Sequence, residues 1–147
     1  MDARQAIQQQ AVTLLSRREY SARELQRKLE TRHDADLVSE VVEALQGQGL
    51  QSDERFTEVW TRQRVMQGYG PIRVQVELRQ KGIACELIEQ CLQSESIDWF
   101  ELARSAFERR FGAGKAGDQK EQAKQIRFLQ YRGYTGDQIR YAMETAD

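Results

Sequence analysis

Shifted by about fifty residues, the sequence overlays on itself, and this limits the fold more than any other feature it has. Going back from the middle of the chain, Tyr69, Val74 and Leu78 fall on Tyr20, Leu25 and Leu29. Going forward, Leu78, Gly82, Ile83, Ile88 and Leu92 fall on Leu129, Gly133, Tyr134, Ile139 and Met143. The pair Lys81-Gly82-Ile83 and Arg132-Gly133-Tyr134 keeps charge, turn residue and apolar anchor in one order. Internal repeats of this length are supersecondary units that stack on one another.

The middle copy, Tyr69 to Ile83, admits two local structures. Pro71 lacks an N–H and has its φ preset, which suits the first position of a helix, and Gly82 suits the left-handed stop. Against this, Ile72, Val74, Val76 and Leu78 alternate as in a half-buried strand. The first copy decides between them. Ser21 and Glu24 form a capping box there, and Leu25 and Leu29 are spaced i, i+4. The segment 72–81 is therefore predicted to be helical.

The same reasoning gives an all-α fold of three tandem three-helix repeats, at 1–50, 51–97 and 98–147. In the first, Ile7, Ala11, Leu14 and Leu15 form a stripe. Ser21 to Arg32 and Asp36 to Gln46 are further helices, the latter with Val38, Val41, Val42 and Leu45 inward. In the second, Ser52 is an N-cap, Phe56, Val59, Trp60 and Met66 point to one side, and a helix from Ala84 to Gln93 follows the Pro71 helix. In the third, Asp98 caps a helix with Phe100, Ala103, Phe107 and Phe111. The flexible loop Gly112 to Gly117 comes next. Helices from Asp118 to Arg132, burying Ile126 and Leu129, and from Thr135 or Gly136 complete the unit. Each unit is too small for a large core of its own. Neighbours are therefore expected to share apolar surface in an elongated, curved array.

Little here points to catalysis. The one histidine, His33, sits in a polar turn, and Cys85 and Cys91 read as free, buried thiols on different faces of one helix. Neither a metal site nor a Cys–His pair is indicated, and such thiols suit a reducing cytosol. Gly112-Ala113-Gly114-Lys115-Ala116 fails as a phosphate loop, because Arg109 stands at the first glycine position and Ala116 replaces the hydroxyl. Carboxylates are spaced for helix surfaces. No cofactor is expected. The start Met1-Asp2-Ala3-Arg4 has no apolar run of a signal peptide, and no stretch is long enough for a membrane span. A cytoplasmic monomer is expected.

Charge is where function shows. The net charge is −1, yet its distribution is uneven. Between 62 and 81, five bases (Arg62, Arg64, Arg73, Arg79 and Lys81) face only Glu77. From Arg104 to Arg140, nine bases face four acids. Arg73, Glu77 and Lys81 are spaced as a routine paired stripe. Lys120, Lys124 and Arg127 share a helix face with only Glu121 near, and Arg109, Arg110, Lys115 and Arg132 are close in sequence. An unpaired basic stripe points to an acidic partner or a phosphate.

The run Asp53-Glu54-Arg55-Phe56-Thr57-Glu58-Val59-Trp60, then Arg64, Gly68 and Gly70 to Ile83, resembles the central signature of the RecX family, regulators of the RecA recombinase. Ser21 to Leu29 and Phe128-Leu129 to Tyr134 resemble its outer repeats. The resemblance implies three tandem three-helix units. It also implies a protein that binds the RecA filament on single-stranded DNA and limits its growth. RecA's ATP hydrolysis, strand exchange and repressor-cleavage co-activity would fall in consequence. The competing expectation is a single-stranded-DNA binder that competes with RecA for the strand, although few aromatics interleave the bases in sequence. A plain scaffold for a helical partner has only the repeats in its favour.

Overall fold

The computed structural model describes residues 2–112 and 114–145. Among them are nine α-helices and no strand: α1 Ala3–Arg17, α2 Ala22–Leu29, α3 Ala35–Gly47, α4 Asp53–Met66, α5 Pro71–Gln80, α6 Cys85–Leu92, α7 Trp99–Phe111, α8 Gln119–Arg132 and α9 Gly136–Thr145. Met1, and Ala113 of the expected loop, lie outside the described residues.

The alternating segment is helix α5, and its burial shows why. A strand would send Ile72, Val74, Val76 and Leu78 to one face. Instead Val74 and Leu78 are fully buried while Ile72 and Val76 are about half exposed. Pro71 is the first residue of α5, as its missing N–H favours. Ser21 and Glu24 form the expected capping box at α2. Asp34, Ser52, Asp98 and Asp118 each accept a backbone N–H three residues on, so most helix starts are fixed locally.

The chain gathers into two compact units, Met1–Val59 with Leu78–Leu87, and Trp60–Glu77 with Ile88–Asp147. In the first, Ile7 and Ala11 of α1, Leu25 and Leu29 of α2, and Val38, Val41, Val42 and Leu45 of α3 form one core with Tyr20. A polar joint lies beside it. The Asp53 carboxylate accepts from the Ala22 N–H at 2.9 Å and from Gln51 Nε2 at 3.0 Å, so it caps α2 from the first turn of α4. Arg55 donates to Glu19 at 2.5 Å and to the carbonyls of Gly49 and Leu50 at 3.1 Å, tying down the chain after α3. Lys81 Nζ reaches Glu24 at 2.8 Å. A Cβ at Gly82 would come within 2.8 Å of Arg23 Cβ, so the end of α5 lies directly on α2.

In the second unit α7 packs along α9, burying Trp99, Ala103, Ala106 and Phe107 with Ile139, Ala142 and Met143. Phe107, Phe111 and Phe128 follow one another at ring separations of 5.3 and 5.4 Å. The closest approach is backbone to backbone. Gly70 N–H donates to Arg132 O at 2.7 Å and Ile72 N–H to Gly133 O at 2.9 Å. Two helix ends thus satisfy each other: orphan donors at the start of α5 meet orphan carbonyls at the end of α8. Gly133 has φ +96°, ending α8 in the left-handed conformation. A Cβ on Gly70 would lie 2.6 Å from Gly133 C and O, and one on Gly133 would lie 2.6 Å from Arg73 Cβ.

Several side chains depart from the sequence expectation. Cys85 is exposed and Cys91 only half-buried, its Sγ 3.3 Å from Thr61 Oγ1. Cys85 opens α6, where the apolar face has not begun. Met66, expected inward, is 75 % exposed at the last residue of α4. Ile126 is half-buried, whereas Gln125 is buried because its Oε1 accepts from Ala116 N–H at 3.1 Å. His33 is partly covered and bonds Gln10 at 3.0 Å.

Gly133→Ala and Gly70→Ala should each lower stability by about 2–4 kcal/mol, since backbone must shift to admit the methyl group. Gly47→Ala, with nothing within 4 Å of its added Cβ, should be neutral or raise stability by about 0.5 kcal/mol. Urea unfolding of the three variants checks this. A second test concerns acid. Burial acts to raise the Glu24 pKa, but hydrogen bonds from Lys81, the Ser21 N–H and Arg18 outweigh it and hold the carboxyl below its ordinary value. The unfolded state then takes up the proton first. The stabilisation from Glu24 is therefore complete above the ordinary carboxylate pKa and disappears as pH falls through the lowered folded value. Glu24→Gln should be less stable than the parent at neutral pH, and the gap should close in acid.

Candidate functional site

Arginine and aromatic residues separated by up to seventy positions meet in the second unit. Tyr69 is the centre. The Arg73 guanidinium lies 4.0 Å from its ring centroid, Arg132 4.9 Å and Arg64 5.5 Å. Arg64 also lies 4.5 Å from the Trp60 ring, and Arg132 5.2 Å from Phe128. Arg110 lies 5.1 Å from Phe111 and 5.9 Å from Phe128. Arg73 is 5.8 Å from Tyr131, which is 78 % exposed. Stacking on ring faces lets weakly hydrated guanidiniums pack closely, each contact contributing about 0.5–1 kcal/mol.

The backbone fixes this cluster. The glycine contact brings the end of α8, with Arg132 and Tyr131, against the start of α5, with Arg73. Arg132 NH1 donates to Gln67 O at 3.1 Å, and the Tyr134 hydroxyl donates to Gly68 O at 3.0 Å. Burial pushes the Tyr134 phenol up to about 12, while Arg109 and Arg132 pull it the other way. It stays a neutral donor at any physiological pH. Gly68 is close to both guanidiniums: a Cβ there would stand 3.8 Å from Arg132 NH1 and 3.9 Å from Arg109 NH2.

One carboxylate serves the group. Glu77 accepts from Trp60 Nε1 at 3.1 Å and from Arg64 Nε at 2.9 Å, and pairs with Arg73 at 3.5 Å. Among the described residues, no carboxylate lies within ion-pair distance of Arg109, Arg110 or Arg132. Glu77 therefore neutralises Arg64 and Arg73 only. Among the described residues, no group of three or more His, Cys, Asp or Glu side chains is placed to hold a metal ion. Planar donors of fixed orientation have the chemistry to meet a negatively charged group.

Of the basic residues singled out in the sequence, the fold brings together Arg64, Arg73, Arg109, Arg110 and Arg132. Arg62, Lys115, Lys120 and Arg127 are exposed in the same unit without a close acid among the described residues. Lys124 is not part of an unpaired stripe, because Glu121 lies 3.3 Å away one turn earlier. Arg79 is exposed in the other unit, and Lys81 there is paired with Glu24. Sequence reasoning missed the aromatic partners. Tyr69 opens the middle copy of the repeat, and Tyr131 lies two residues before the turn glycine of the last copy.

Comparison with known proteins agrees with this architecture. The model of the second three-helix domain of RecX matches residues 52–92 and that of the third matches 96–143. A regulatory protein RecX from Halorhodospira halophila is 47 % identical over 146 residues, covering 99 % of this chain and 91 % of that one. One from Vibrio parahaemolyticus is 45 % identical over 139 residues, covering 93 % and 89 %. The crystal structure of RecX from Lactobacillus salivarius shares the fold with a TM-score of 0.81 at 20 % identity, over 97 % of this chain and 96 % of that one.

Glu77→Gln should destabilise the second unit by about 1–3 kcal/mol, because two partly buried guanidiniums lose their counter-charge. The loss should be larger at low salt, where the remaining arginines repel one another over a longer range. Urea unfolding at two ionic strengths measures both, and equal stability at low salt would contradict the reading.

Proposed function

Because this chain belongs to the RecX family, we propose that it binds the filament RecA forms on single-stranded DNA and limits its growth. RecA's ATP hydrolysis, strand exchange and repressor-cleavage co-activity fall as a consequence. The chain acts as a non-catalytic regulator, a cytoplasmic monomer of three tandem three-helix repeats at 1–50, 51–97 and 98–147. The names of its relatives, regulatory proteins rather than enzymes, support the regulatory role. No helix among the described residues is long and apolar enough to cross a membrane.

The observation that carries the reading is the excess of guanidinium over carboxylate around Tyr69. Arg64, Arg73, Arg109, Arg110 and Arg132 are held by stacking and backbone bonds, so little side-chain entropy is lost when an acidic partner docks. Arg62, Lys115, Lys120, Lys124 and Arg127 add long-range attraction that speeds encounter and makes it salt-sensitive.

A second reading is direct competition for the DNA strand, with RecA affected only indirectly. Tyr131 favours it, since an exposed ring beside an arginine can stack on a base.

The test is RecA's DNA-dependent ATP hydrolysis on preformed filaments, with this protein added well below RecA's concentration. A progressive loss is the expected outcome, because one bound molecule silences many subunits. Loss only when the protein saturates the strand would select competition, and no loss at any ratio would remove the function. Charge reversal at Arg109 and Arg110 should weaken inhibition about tenfold or more, beyond the effect of reversing Lys120, Lys124 and Arg127.

A further inference from the structure

Helix α5 carries two aliphatic side chains that the fold only half covers. Ile72 and Val76, one turn apart, are 46 % and 47 % exposed, while Val74 and Leu78 on the opposite face are fully buried. β-branched residues are mediocre helix formers, so an exposed helix face gains nothing locally from them. Their neighbourhood is well defined. The Ile72 N–H is bonded to Gly133 O at 2.9 Å, which holds the first turn of α5 against the segment carrying Tyr131 and Arg132. Tyr131 is 78 % exposed, with its ring 5.8 Å from the Arg73 guanidinium. Ile72 and Val76 thus present an aliphatic face on α5, and the segment bonded to its first turn carries Tyr131 and Arg132.

Charge decides what fits on it. Glu77, the nearby carboxylate, is already engaged by Trp60, Arg64 and Arg73. Arg132 has no carboxylate within ion-pair distance among the described residues. An aliphatic strip with Arg73 on its own helix and Arg132 on the bonded segment matches a peptide that offers apolar side chains along one face and carboxylates beside them. Nucleic acid fits less well. Ile72 and Val76 offer no stacking face, and of the rings with guanidiniums near them, Trp60, Tyr69, Phe128 and Tyr131, only Tyr131 is exposed enough for a base.

We propose that the outer face of α5, with Tyr131, docks an acidic peptide segment whose two apolar side chains, one helical turn apart, seat on Ile72 and Val76 while its carboxylates meet Arg73 and Arg132. This rests on the reading of the chain as a regulator that binds a protein filament, and it names the chemistry of the filament's contact element.

The experiment uses the full chain and a fluorescein-labelled peptide rich in glutamate with two leucines four positions apart, followed by anisotropy. The controls are the same peptide with serine for leucine, with lysine for glutamate, and a labelled oligothymidylate. The acidic leucine peptide should bind best. The surface double variant Ile72→Ser/Val76→Ser, with its helicity checked by circular dichroism, should weaken that binding about tenfold or more without changing its dependence on salt. Binding of oligothymidylate should be unchanged. Peptide binding equal in parent and double variant, or absent in both, would overturn the proposal. So would a loss confined to oligothymidylate, which would make the strip a nucleic-acid surface. The parent and the double variant are then compared on RecA filaments. If the parent has no effect on filaments while the variant loses the peptide, the regulatory reading fails and the docking strip stands. If the double variant inhibits filaments as the parent does, the strip is not the filament's contact and the proposal fails, while the regulatory reading stands.

Discussion

Two glycines with no side chain between them hold the second unit in register. Where Gly70 meets Gly133 the distance is set by backbone atoms alone, and the start of one helix supplies the donors that the end of another lacks. The opposed helix dipoles add to this, since the positive end of α5 faces the negative end of α8. The locations of Arg73 and Arg132 around Tyr69 follow from this contact. Arg73 lies just inside α5, Arg132 just before the glycine that ends α8, and Tyr69 between α4 and α5. A side chain at either glycine would separate the helices and scatter the guanidiniums. The arrangement of Arg73 and Arg132 over Tyr69 thus depends on residues that carry no charge.

The same device recurs in the first unit with different chemistry. Gly82, which overlays on Gly133, lies against Arg23 of α2 as Gly133 lies against Arg73 of α5. Around Gly82 the neighbouring ion pair is Glu24 with Lys81. Around Gly133 it is a set of arginines over tyrosine and phenylalanine rings. Glu24 overlays on Arg73, so one position of the repeat is acidic in one copy and basic in the next. The repeat conserves the geometry of the joint and leaves its charge free to change. A regulator can therefore place positive charge on part of its length while its net charge is only −1.

The helices could be read from the sequence because what fixes them is local. Ser21 with Glu24, Pro71, Gly82 and Gly133 act within one turn of their own positions, and the repeat carried the reading into the segment where alternation suggested a strand. The pairing of arginine with aromatic could not be read. Tyr69 and Arg132 are far apart in the chain, and only the fold brings them together. Within the stripe of Lys120, Lys124 and Arg127, Glu121 pairs with Lys124 one turn on. The signature run from Asp53 to Trp60 is rich in charge, yet Asp53 and Arg55 cap the chain around α2 and α3. Such residues are fixed by architecture, and they identify the family without belonging to the recognition surface.

The glycine contact also makes the molecule its own indicator. The first amides of a helix ordinarily face water and exchange their hydrogens quickly, because nothing within the helix accepts them. Those of Gly70 and Ile72 are closed off by the carbonyls of Arg132 and Gly133. Their deuterium uptake reports whether the joint is shut, separately from the unfolding of either helix. A partner that pulled the guanidiniums outward would be recorded there as faster labelling of two backbone sites it never touches.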